Sequence, residues 1–223
     1  MGSSRLPGKV AKIAGCKEYL AHQLDRVLKK CPANKIVVAT TDSAEDDVVC
    51  SLALNSGVGF FRGSSRDVLK RYINAAEENN FTDIVRLTGD SPLIDPYVMD
   101  EVINFYISIK KENKYVSNTL TPSFPIGFNV EITTLNNLQT AWSSSASEYD
   151  HEHVTPYTKS GSIRDCYRFS CVLNNNLSMW RFTLDTVDDD LQLSKILSGV
   201  DGFEMNDVIN FAVKNQLMRL QSW

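Results

Sequence analysis

The residues whose types and spacing suit chemistry lie in three short stretches. Arg5 and Lys9 stand in MGSSRLPGKV, Asp90 in RLTGDSPLIDP (86–96), and Asp185 in RFTLDTVDDD (181–190). In the first stretch Gly2 and Gly8 supply backbone freedom and Ser3 and Ser4 supply hydroxyls, while the two cations stand beside amides that can point at an anion. This is not an ATPase phosphate loop: five residues separate Gly2 from the Gly8-Lys9 pair, and Val10 follows where a hydroxyl residue is needed. The chemistry that fits is charge neutralisation of a triphosphate by Arg5 and Lys9 while amides hold its oxygens. The plainer alternative is a basic, flexible terminus.

Asp90 follows a β-run that ends in Thr88-Gly89, at the carboxyl end of a strand, where open α/β sheets bind their ligands. A carboxylate there can hold Mg²⁺ against a nucleotide phosphate. The competing role, a turn acid that caps the next helix, suits Asp95 before Pro96 better than Asp90. Asp185 also closes a β-run. Asp188, Asp189 and Asp190 are accounted for by the preference of acids for a helix N-terminus, whereas Asp185 is not. If its strand lies near that of Asp90, the two carboxylates share the metal, and a general-base role for Asp185 stays open beside that of ligand.

Weaker candidates give way to structural readings. Gly57, Gly59 and Gly63 lack the spacing of a dinucleotide fingerprint. His151 and His153 form an H-x-H pair that a strand would aim to one face for zinc, but no third ligand stands nearby, and a hydrogen-bonded loop anchor is the better account. None of the three histidines is placed beside a special serine or cysteine, which removes a nucleophile-base pair.

These residues need a scaffold, and composition bounds it. The chain has 223 residues, 43% of them hydrophobic, and a net charge of −4. That predicts one soluble domain over 1–223, without a membrane span and without nucleic acid as the main partner. Cys16, Cys31, Cys50, Cys166 and Cys171 are scattered and odd in number, which fits reduced core thiols and a cytoplasmic setting. Helical spacing marks 17–31, KIVVAT (35–40) reads as a buried parallel strand, and the strand-loop-helix unit recurs with VGFF before 66–79 and TDIVRL before 96–113. The alternation predicts a doubly wound α/β sheet. Beyond 114 the rhythm changes to strands in YVSNTL, GFNVEIT, SIRDCYRFSCVL and MWRFTLD, a mixed sheet or a substrate and dimer lobe (115–175), with two amphipathic helices at the end.

GSSRLPGKV, TTDSAEDD, FRGSSRDVLKRY, VRLTGDSPLIDP, YVSNTL, EHVTPY and the LDT-x-x-D pattern together resemble the spore-coat polysaccharide (SpsF-type) branch of the cytidylyltransferases, which is related to the synthetases that make CMP-KDO and CMP-acylneuraminate. The resemblance implies a Rossmann-like α/β fold of the nucleotide-diphospho-sugar transferase type, in which a sugar hydroxyl attacks the α-phosphate of CTP, pyrophosphate leaves and a CMP-sugar forms with Mg²⁺. It maps Gly2, Ser3, Ser4, Arg5 and Lys9 onto the triphosphate loop and Asp90 and Asp185 onto the metal-binding acids. Thr41, Asp42, Arg62, Ser64 and Asp67 match nucleotide-side loops, and Asn118, Glu131, Glu152 and His153 fall in the acceptor lobe. The resemblance further implies a homodimer and an apolar first strand ahead of the loop, which this sequence lacks. The alternatives are a truncated, non-catalytic nucleotide-binding or assembly protein, and a transferase using another nucleotide.

Overall fold

The computed structural model describes residues 5–220, so a strand ahead of the loop lies outside them. After a 3-10 turn at Lys9–Ala11, the hairpin of β1 (Ile13–Ala14) and β2 (Lys17–Glu18) leads into α1 (Tyr19–Val27). That helix stops short of Pro32 and buries Leu20 and Leu24 with Val49, Leu52, Ala53 and Val58. β3 (Val37–Thr41), α2 (Asp47–Asn55) and β4 (Gly59–Gly63) form a parallel unit in which Val37 stands opposite Gly59 and Thr41 opposite Gly63. A helical crossover is what joins neighbouring parallel strands.

α3 (Val68–Glu78) brings the chain to β5 (Asp83–Arg86), and α4 (Pro96–Ser108) follows the Thr88–Asp90 turn. The Asp95 side chain accepts from the Tyr97 and Val98 amides, with Pro96 in the first turn, so this acid is the cap expected of it. β6 (Lys114–Ser117) and β7 (Glu131–Thr134) come next, then α5 (Leu135–Ser144), α6 (Glu148–His153), α7 (Pro156–Lys159) and β8 (Tyr167–Ser170). These strands make a sheet in the order β5-β7-β6-β8, antiparallel except for the parallel β6–β8 pair. Among the described strands, β3 pairs only with β4 and β5 only with β7, so the mixed α/β architecture carries its sheet in separate pieces.

Several boundaries differ from the sequence pattern. The helix expected over 96–113 ends at Ser108. The stretch around His151 and His153, expected as a loop, is α6, begun after Ser147 and broken at Val154, whose φ of 74° ends the helical turn. MWRFTLD buries Phe182, Thr183 and Leu184 in succession, yet it makes only isolated bridges, Ile126 with Arg181 and Trp180 with Leu220. The cysteines are free, but Cys50 alone is buried and Cys16 is exposed. α8 (Val187–Gly199) and α9 (Met205–Lys214) close the chain, packing Leu193, Ile196, Val208 and Ala212 around Phe128, Phe182 and Leu184.

Candidate active site

Lys9 reaches the centre of the site because of the turn that carries it. Gly8 takes a left-handed conformation (φ 69°) ahead of the 3-10 turn, and the amides of Lys9 and Ala11 donate to the Leu6 and Gly8 carbonyls. The Lys9 Nζ lies 2.8 Å from Asp185 Oδ1 and 3.9 Å from Asp90 Oδ2. Arg5 adds a more exposed cation, its Nη2 3.6 Å from the same Asp185 oxygen. Arg5, Lys9, Asp90 and Asp185, drawn from three distant stretches of sequence, thus converge around one ammonium.

Each acid is held from behind by its own oxygen partners. Asp90 Oδ1 accepts from the Thr88 hydroxyl at 2.6 Å and the Ser91 hydroxyl at 3.2 Å. The buried Gln23 of α1 fixes that turn by donating to the carbonyls of Thr88 and Ser91, and the Leu184 amide donates to the Asp90 carbonyl at 2.8 Å. This last bond brings the two acidic turns side by side. Asp185 Oδ2 accepts from Arg181 Nη2 at 2.5 Å. Burial pushes the Asp185 carboxyl up, but the Lys9 ammonium and the Arg181 guanidinium outweigh it and hold the group below the usual carboxylate range. Asp90 Oδ2 and Asp185 Oδ1 therefore remain turned toward Lys9. Neither Arg181 nor Gln23 is singled out by its sequence: one reads as an ordinary β-run residue and the other as the polar face of a helix.

The residues matched to nucleotide-side loops form a second cluster. Arg62 Nε donates to the Thr41 carbonyl, the Asp42 amide donates to the Gly63 carbonyl, and the Thr41 hydroxyl donates to buried Asp46. Ser64 Oγ accepts from the amides of Arg66 and Asp67. Asp67 caps α3 through Lys70 N and accepts from Trp142 Nε1 at 2.8 Å and His151 Nδ1 at 3.0 Å, fastening this loop to α5 and α6. Gly2, Ser3 and Ser4 lie outside the described residues.

In the acceptor-lobe group, Asn118 is buried and joins two segments by donating to the Phe128 carbonyl and accepting from the Val130 amide, both at 2.8 Å. Buried Glu131 accepts from Tyr115, Thr155 and Arg86, with Lys159 at 3.6 Å. Burial pushes its carboxyl up, yet Arg86 and Lys159 keep it below its ordinary value. Glu152 and His153 lie on the exposed side of α6, where His153 packs edge-on against Tyr149.

The donor set fits a hard divalent cation. Mg²⁺ is commonly held by one or two carboxylates together with substrate phosphates and water, not by an all-protein cage. Among the described residues no group of three or more His, Cys, Asp or Glu could hold a metal, whereas Asp90 and Asp185 each present one oxygen to a shared positive charge.

A family model described as cytidylyltransferase matches residues 1–178. The spore coat polysaccharide biosynthesis protein SpsF of Bacillus subtilis (strain 168) is 31% identical over 195 residues, which is 85% of this chain and 79% of that protein. A solved cytidylyltransferase from Leptospira borgpetersenii serovar Hardjo-bovis superposes with a TM-score of 0.91 at 32% identity, covering 100% of this chain and 94% of its own. A CMP:2-keto-3-deoxy-manno-octonic acid synthetase complexed with CTP superposes at 0.61 with 14% identity, over 88% of this chain and 94% of its own. That second likeness is one of fold, the Rossmann-like α/β architecture.

Proposed function

This chain belongs to the cytidylyltransferase family and is a nucleotidyltransferase, and from that premise we propose that it transfers CMP from CTP to a sugar acid or a related sugar, releasing pyrophosphate, for surface polysaccharide or glycan synthesis. The observation that carries this reading is the convergence of Lys9, Asp90 and Asp185, with Lys9 Nζ 2.8 Å from one acid and 3.9 Å from the other.

In mechanism, the acceptor hydroxyl attacks the α-phosphorus, the bond to the bridging oxygen breaks, and pyrophosphate departs with the charge that develops on it. Little covalent help is needed; positioning and electrostatic stabilisation supply the rate. Lys9 and Arg5 neutralise the phosphate oxygens that gain charge. The cations Arg5, Lys9 and Arg181 are offset by the carboxylates of Asp90, Asp185 and Asp189, which leaves too little positive charge for a triphosphate. Mg²⁺ held by Asp90 and Asp185 supplies the missing positive charge when bound. The alternative to the ligand role is that Asp185 takes the proton of the attacking hydroxyl, as a weak base because Lys9 and Arg181 hold it below the usual carboxylate range. The loop from Arg62 to Asp67 supports a nucleotide-side role through its ties to Thr41 and Asp42, and the reading includes a homodimer assembled through residues 115–175.

The test is pyrophosphate release with CTP, UTP, ATP and GTP against sugar acids and neutral sugars, with and without Mg²⁺. Selective, Mg²⁺-dependent turnover of CTP that Asp90→Asn reduces by about a hundredfold or more supports the proposal. A protein that turns over none of the nucleotides with any acceptor overturns it.

A further inference from the structure

We propose that Arg181 is a positioning residue for the transfer: it grips Asp185 from the side opposite Lys9 and leaves one carboxylate oxygen facing the reacting phosphates. The inference rests on the cytidylyltransferase reading above and extends it to a residue outside the phosphate loop and the acid pair.

The geometry that carries it is a difference between the two oxygens of Asp185. Oδ1 faces the cations Lys9 and Arg5, at 2.8 and 3.6 Å. Oδ2 is bound by Arg181 Nη2 at 2.5 Å, and Arg181 itself is pinned. Its Nη2 is 3.4 Å from Asp189 Oδ2, an oxygen that also accepts the amides of Asp185 and Thr186 at 2.9 and 2.8 Å. Asp189 is buried, and its other oxygen pairs with Arg219 Nη1 at 3.1 Å. One carboxylate thus fixes both the backbone of Asp185 and the guanidinium that orients its side chain.

The Arg181 backbone is held with equal firmness. Its amide donates to the Arg219 carbonyl at 3.1 Å, its carbonyl accepts from Gln192 at 3.4 Å, and the next amide, of Phe182, donates to Ile126 at 2.8 Å. Neighbouring Gly127 packs so closely that a Cβ there would lie 2.7 Å from the Phe182 carbonyl oxygen. Arg181 is therefore held at both backbone and side chain, and it binds the oxygen of Asp185 that Lys9 does not. Asp90 has the same arrangement in a neutral form, with Thr88 and Ser91 behind it and one oxygen facing Lys9. Two acids, each tied at one oxygen from behind and turned toward Lys9 at the other, form a preorganised pair whose orientation costs nothing at the moment of reaction.

The experiment compares Arg181→Ala and Arg181→Lys with wild type in CTP-dependent pyrophosphate release, and adds guanidinium ion to the alanine variant. The expected result is a fall in kcat of about ten- to a hundredfold with KM for CTP within about threefold, because orientation and not ground-state binding is lost. Partial recovery is expected in Arg181→Lys, and in Arg181→Ala on adding guanidinium but not urea. Should the alanine variant fail to fold, the lysine variant carries the same test of kcat against KM. Wild-type kcat in the folded variants, or a loss that guanidinium does not relieve and that Arg181→Lys restores fully, overturns the positioning role and leaves the transferase reading standing. Wild-type protein without CTP turnover removes the premise instead.

Discussion

Replacing Lys9 by methionine should strengthen divalent-cation binding in the nucleotide-free protein while it abolishes efficient transfer. The Lys9 ammonium sits 2.8 Å from Asp185 Oδ1 and 3.9 Å from Asp90 Oδ2, the two oxygens through which the acids would hold Mg²⁺. Lysine and metal therefore compete for one place. At an effective dielectric constant of about 20 the gross attractions are about 6 and 4 kcal/mol, before the water each group gives up is counted. The side chains of Lys9 and Asp185 each keep 18% of their surface in solvent and that of Asp90 keeps 29%, so these contacts are neither fully buried nor fully exposed. Only about 1–2 kcal/mol of the gross figure then remains as the cost of displacing the ammonium. Removing that cost raises affinity by about 5- to 30-fold. Titration with Mn²⁺ followed by electron paramagnetic resonance reads the affinity directly, and pyrophosphate release with CTP and Mg²⁺ reads the loss of transfer. A methionine variant that binds Mn²⁺ no more tightly than wild type would refute the idea that Lys9 occupies the cation's place.

Other outcomes follow from contacts away from the acid pair. Gly127→Ala should destabilise the fold by about 2 kcal/mol or more, because φ is 107° and the new Cβ would fall 2.7 Å from the Phe182 carbonyl oxygen; urea unfolding measures it. Asn118→Ala leaves the Phe128 carbonyl and the Val130 amide without their 2.8 Å partners, and should cost about 2–4 kcal/mol in the same assay. His151 is raised above its ordinary pKa by the Ser145 carbonyl and then by Asp67, the two acceptors to which its ring nitrogens donate together in the protonated form. A raised folded value means that its stabilisation is complete below the unfolded pKa of about 6.5 and fades as pH rises through the folded value. The stability gap between wild type and His151→Gln should accordingly be wider at low pH than at high pH, and a gap that widens with rising pH contradicts the assignment.

Much of the acid pair was legible before any coordinates, because Asp90 and Asp185 each end an apolar run followed by turn residues, and strand ends gather at one edge of an α/β sheet. That the two turns touch, through the Leu184 amide and the Asp90 carbonyl, is a long-range fact that no local pattern carries. Arg181 was hidden for a related reason. In a β-run flanked by Trp180 and Phe182 an arginine reads as an outward residue, and only the helix that follows puts Asp189 within its reach. The alternation of Trp180, Phe182 and Leu184 correctly marked extended chain, but a ladder needs a partner strand, and here the partners are single residues. At His151 the alternation was absent and the serine-rich lead suggested a loop, so a short helix held by side-chain bonds to Asp67 and Ser145 went unseen. Asn118 and Glu131 show the opposite limit: the family resemblance sets them in the acceptor lobe, but sequence does not tell that their polar atoms are engaged within the protein.

The span of the central contact bears on how the protein comes into being. Lys9 and Asp185 are 176 positions apart, and the acid that braces Arg181 is in turn paired with Arg219. During synthesis the turn that carries Lys9 is made 176 residues before its counter-charge at Asp185. Until then Lys9 and Arg5 lack the Asp185 carboxylate, and the elements from α1 to β8 have time to form. The Lys9–Asp185 contact is thus made late, and a measurement that depends on it reports on the joining of distant segments in a way that secondary structure does not.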